Sequence, residues 1–102
     1  MIDGEINLIQ VTIEQDETGV PREIEGVPRP CFCRVESVTR AEFFEGGRNG
    51  LNPEFVFTMW DGDYHGESTL EYNGKRYGIY RTYHSDGDYV ELYAERKGGV
   101  NV

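Results

Sequence analysis

Long apolar runs are missing from this chain: no stretch approaches the roughly 18 residues that a membrane-spanning helix needs. The start, Met1-Ile2-Asp3-Gly4-Glu5, also lacks the basic and apolar regions of a signal peptide, so the expectation is a chain that stays in the cytoplasm where it is made. Cysteine is scarce. Cys31 and Cys33 are the only two, and on a strand they project from one face about 6.5–7 Å apart, whereas a disulfide wants Cβ atoms about 3.5–4.5 Å apart. The reading is two reduced core residues. Basic residues are outnumbered, 10 against 19 acidic, for a net charge of −9 spread along the chain. That balance opposes tight binding to a phosphate backbone, while leaving room for a wall past which nucleic acid slides.

Catalytic and metal-binding patterns are absent too. There is no Gly-x-Ser-x-Gly elbow, and the consecutive His84-Ser85-Asp86 do not converge into a triad. Asp61-x-Asp63-x-His65-Gly66 begins like a calcium loop, but its twelfth position is Tyr72 instead of a bidentate glutamate. Cys31-x-Cys33 is not Cys-x2-Cys, and His65 and His84 fall in turns, which speaks against zinc. The expectation is no catalytic residue, no metal and no cofactor. Seven tyrosines suggest base stacking, but base-stacking sheets sit beside a basic groove, so a core and subunit-interface role suits them better.

What is present is an ordinary globular balance, 37% hydrophobic and 28% charged in 102 residues, enough for one domain over residues 1–102. Ile9, Val11 and Ile13 alternate with polar residues in a half-buried first strand from near Glu5, ended by Asp16-Glu17-Thr18-Gly19. Val20 to Pro30 holds three of the four prolines and reads as a loop or sheet edge. A second strand runs from about Cys31 to Val38. Thr39-Arg40-Ala41-Glu42 has capping-box spacing and opens one short helix, which Gly46-Gly47 should stop. Residues 48–53 are loop. Phe55 to Trp60 is apolar on both faces, as a central or doubly covered strand would be.

Two hairpins follow. Asn73-Gly74 suits a type I′ turn and sets Glu71 opposite Arg76 and Leu70 opposite Tyr77. A second turn centred on Asp86 sets Arg81 opposite Glu91 and Tyr83 opposite Tyr89. The same pairing brings Arg76 beside Arg96, with Lys75 and Lys97 close by, a basic corner on an acidic chain. The fold expected is all-β: a small antiparallel barrel or sandwich of five to six strands, with one short helix in a long connection.

The order of these features resembles the head-to-tail joining (head-closure or stopper) proteins of long-tailed bacteriophages of Gram-positive hosts. Val35 to Phe44, with its Glu42-Phe43-Phe44, resembles the family's strand and loop, and Asn49 to Phe57 its entry into the next strand. Tyr64 to Glu67, Tyr72 to Tyr77, Ile79 to Tyr83 and Glu91 to Tyr93 complete the set, so the resemblance covers about Ile9 to Lys97. The proline-rich segment and the two cysteines are not family features. The resemblance implies a barrel that assembles into a ring, twelve-fold by family, below the portal and adaptor. Such a ring closes the DNA exit channel and docks the tail through a tail-terminator or tail-completion protein. DNA would pass without specific binding, no membrane and no catalysis would be involved, and the chain would sit in the virion neck after assembly in the host cytoplasm.

Candidate interface residues follow from the long connection and the basic corner: Arg40, Phe43, Phe44 and Leu51, and Lys75, Arg76, Arg96 and Lys97. The first group would touch a neighbouring subunit or the adaptor, and the second an acidic partner. The competing reading is a small SH3-like module that binds a peptide.

Overall fold

A computed structural model describes residues 2–85 and 87–97. Six strands close into an antiparallel barrel in the order β1-β4-β5-β8-β7-β6: β1 (Ile2–Ile9), β4 (Arg29–Ser37), β5 (Pro53–Trp60), β6 (Thr69–Tyr72), β7 (Lys75–His84) and β8 (Tyr89–Arg96). Two further strands, β2 (Val11–Gln15) and β3 (Pro21–Glu25), form a separate ribbon. One helix, α1 (Arg40–Arg48), lies in the β4–β5 connection. The all-β expectation holds, in its barrel form.

Strict alternation builds the interior. Ile6 and Leu8, Cys31, Cys33 and Val35, Phe57 and Met59, and Val90, Leu92 and Ala94 all point inward and are buried. Phe55, Phe57, Tyr72 and Tyr77 fill the middle with mainly edge-to-face contacts, such as 5.3 Å between the Phe57 and Tyr72 centroids. Both cysteines are free and buried, as the sequence led us to expect. Burial pushes the Cys33 thiol up to about 12, so it stays protonated at neutral pH.

The first strand is where expectation and structure part. The alternating run breaks at Gln10, where the chain leaves the barrel, and the Gln10 carbonyl accepts from the Gly26 N–H at 2.7 Å to close the base of the ribbon. Ile9 is fully buried beside Thr69, but Ile13 is 63% exposed, so the expected half-burial ends with the barrel. Alternation announces a strand without saying whether anything lies beneath it. The proline-rich stretch is in part β3, whose pairing with β2 makes it a sheet edge. At the ribbon tip Asp16 Oδ1 accepts from the N–H groups of Thr18 and Val20 and from the Thr18 hydroxyl.

Helix α1 starts where its cap predicts: Thr39 Oγ1 accepts from the Glu42 N–H at 3.1 Å. It does not stop at Gly46-Gly47. Both glycines are helical, and the chain turns away at Gly50 (φ 79°), with Leu51 N–H donating to Gly46 C=O and Gly50 N–H to Gly47 C=O in a Schellman motif. Gly46 is there for packing, because a Cβ on it would lie 2.4 Å from Pro53 Cγ. Strand β5 is central, between β4 and β8, although Trp60 on its outer face is 54% exposed.

The first hairpin has the expected register, Glu71 opposite Arg76 and Leu70 opposite Tyr77, with Asn73 and Gly74 both at positive φ. The second does not. Arg81 faces Tyr93 and Tyr83 faces Glu91, because the His84↔Val90 pair centres the loop one residue beyond Asp86, itself outside the described residues. A bulge between Ile79 and Arg81 shifts the pairing again, so Arg96 lies opposite Tyr77 and not beside Arg76.

The two helix glycines give opposite predictions. In urea unfolding, Gly46→Ala should lose about 1–3 kcal/mol to overpacking against Pro53. Gly47→Ala, which meets nothing within 4 Å, should gain about 0.5–1 kcal/mol.

Candidate functional site

The bulge in β7 turns Tyr80 out of the ladder toward α1. Its hydroxyl donates to Glu42 Oε2 at 2.5 Å, while Arg81 Nη2 donates to Glu42 Oε1 at 2.6 Å and the guanidinium stacks 3.7 Å from the centroid of the Tyr93 ring. The Arg81 bond, joined by that from Tyr80, holds the Glu42 carboxyl below its usual range against the opposing effect of burial. The acid of the capping box is thus diverted from its own helix to a latch on the barrel wall.

Latching through Glu42 and Gly46 fixes which face of α1 is left outside. Arg40, Phe43 and Phe44, three and four residues apart, share that face. Phe43 is 47% and Phe44 58% exposed, and they touch edge to face at 5.7 Å. Leu51, expected alongside them, is half-buried and sits in the Schellman turn beside Gly46.

The basic corner is a different matter. Arg76 is held between Glu25 (2.9 Å) and Glu71 (3.1 Å), and Lys97 donates to Thr69 Oγ1 and reaches Glu23 at 4.0 Å. The acidic partner of this corner is the base of the β2–β3 ribbon of the same chain. Lys75 and Arg96 remain exposed at its edge.

Sequence reasoning missed a groove of about 720 Å³ on the outer wall of β1, β4 and β5, lined by Phe32, Trp60 and Tyr89 with Asp3, Arg34 and Asp63. Phe32 is 81% exposed, and the Trp60 ring lies over Gly62. The signal was legible in parity: Phe32 alternates with the buried Cys31 and Cys33, and Trp60 follows the buried Met59, so both must face out.

The groove rim is rigid. Glu67, 4% exposed, accepts from Arg29 Nη2 at 2.7 Å and from the His65 N–H at 2.8 Å, and the same Arg29 nitrogen donates to the Asp63 carbonyl. The Asp61 N–H donates to the Asp88 carbonyl, tying the turn to the β7–β8 loop. Burial works to raise the Glu67 carboxyl, but the Arg29 bond and two backbone N–H donors together outweigh it and leave the group below its ordinary value. Among the described residues, no group of three or more His, Cys, Asp or Glu side chains is placed to hold a metal ion.

Two measurements probe these networks. Because Glu67 is depressed on folding, its contribution is fully present above the ordinary 4.5 and is lost as pH falls through the lower folded value. Glu67→Gln should therefore cost about 2 kcal/mol at neutral pH, and the gap from the parent should close on acidification below that range. Glu42→Ala should speed amide exchange across residues 40–48 several-fold while strands β5 and β8 keep their protection.

Compared with known proteins, the chain matches no protein-family model and no curated sequence.

Proposed function

We propose that this chain is a structural subunit of the neck of a long-tailed bacteriophage, forming a ring below the portal and adaptor that closes the DNA exit channel and docks the tail. The observation that carries the reading is the helix-bearing connection. It is held rigidly on a closed barrel by Glu42 and presents Arg40, Phe43 and Phe44 to the outside, as a scaffold for protein contacts would. The net charge of −9 is in keeping with a channel wall that DNA passes without sticking. Ring number and partners, a portal or adaptor above and a tail-completion protein below, come from the resemblance.

The aromatic groove favours a second reading, a small SH3-like module that takes a peptide across Phe32, Trp60 and Tyr89. One experiment separates the two. The purified protein is mixed with DNA-filled, tailless capsids that carry portal and adaptor but lack this subunit, and the particles are imaged. The expected result is density added at the single portal vertex, with DNA retained and tails able to join. Absence of binding to such capsids would overturn the neck reading, and peptide binding by the monomer would then support the module.

A further inference from the structure

Among the described residues, two aromatic surfaces have nothing packed over them, and their charges are opposite. The outer face of α1 combines Phe43 and Phe44 with Arg40, which has no ion-pair partner among the described residues. Both acids of the helix are paired within the chain, the half-buried Glu42 with Arg81 and the exposed Glu45 with Arg48. The groove combines Phe32, Trp60 and Tyr89 with Asp3 and Asp63 along its lining and Glu5 opposite Phe32 in the ladder, against the single cation Arg34. Neither can cover the other within one copy. The helix joins the ends of β4 and β5 at Ser37 and Pro53, and the groove lies toward Phe32 and Trp60, seven residues up β5 and so about 20 Å away.

We propose that the groove of one copy receives the Arg40–Phe44 face of α1 from a second copy, in a head-to-tail contact. Such a contact is heterologous: each copy gives a helix and receives one, so repetition yields a closed ring or an open helix of subunits. It removes two exposed aromatic patches per copy at once, and it sets the cation of the helix among the acids of the groove. That local pairing offsets the repulsion between two copies that each carry −9. The rigidity of both faces, one latched through Glu42 and the other braced by Arg29 and Glu67, lowers the entropic cost of docking. As the subunit contact of the proposed ring, it rests on that reading.

The test uses two full-length variants, each crippled on one face. Phe43→Ala/Phe44→Ala protein keeps an intact groove, and Trp60→Ala protein keeps an intact helix, so a mixture permits one contact and no further growth. With the first variant 15N-labelled, adding the second should move the single Trp indole N–H and the amides of Phe32, Arg34 and Tyr89, saturably, by about 1 mM. The reverse mixture, in which the labelled chain is Trp60→Ala, should move the amides of residues 40–44 instead. Phe32→Ser replaces Trp60→Ala if the latter fails to fold. No movement of these signals overturns the contact, and so does movement confined to other surfaces. Loss of capsid binding on Trp60→Ala without contact between copies gives the groove to another virion protein and likewise overturns it. Capsid binding by the parent without these shifts leaves the neck reading standing alone, while the shifts without capsid binding do the reverse.

Discussion

Closure of the barrel between β1 and β6 rests on a short ladder, Asn7↔Glu71, Leu8↔Leu70 and Ile9↔Thr69, and the rest of the molecule inherits its place from it. Once the sheet is closed, there is one inside and one outside for every strand, with no barrel edge left to pair. The small interior accepts only one parity of each strand. Phe32, Trp60 and Tyr89 are of the other parity, and so they are displayed on the wall although all three are large aromatic side chains.

Scarcity of cations shapes the electrostatics. With 10 basic residues against 19 acidic, five of the eight arginines pair within the chain, among them Arg29 with Glu67, Arg76 with Glu25 and Glu71, and Arg81 with Glu42. The Arg29–Glu67, Arg76–Glu25 and Arg81–Glu42 pairs join segments distant in sequence and fix, in turn, the turn before β6, the ribbon and the helix. The pairs at Arg76 and Arg81 are partly exposed and screened by water, so they orient these appendages more than they stabilise the barrel. The Arg29–Glu67 pair differs in that its acid is buried and has backbone donors as well.

Local chemistry was legible from the chain wherever it left one solution. Asn73-Gly74 closes a two-residue loop, so the register of the first hairpin followed. Thr39 three residues before Glu42 marked the helix start to the residue. The second hairpin was misread because its loop is longer and because Tyr80 bulges out, and neither leaves a local mark. Gly46-Gly47 was misread as a helix stop for a related reason: a glycine required by a distant Pro53 looks, in sequence, like a glycine required by a turn. Of the candidate interface residues, Arg40, Phe43 and Phe44 come together on one face. Leu51 is turned partly inward, and Arg76 and Lys97 face acids of their own chain.

By itself, then, the sequence determined the class of fold, the positions of most strands and the helix start, because period-two alternation, turn chemistry and capping act over a few residues. Only the tertiary structure decided that the run from Ile9 to Ile13 breaks into barrel and ribbon, that Glu42 serves the wall instead of its own cap, and that Phe32, Trp60 and Tyr89 gather into one groove. Those outcomes depend on which strands lie side by side around a closed barrel, and strand adjacency is set by the volume the core must fill, a property of all the strands at once.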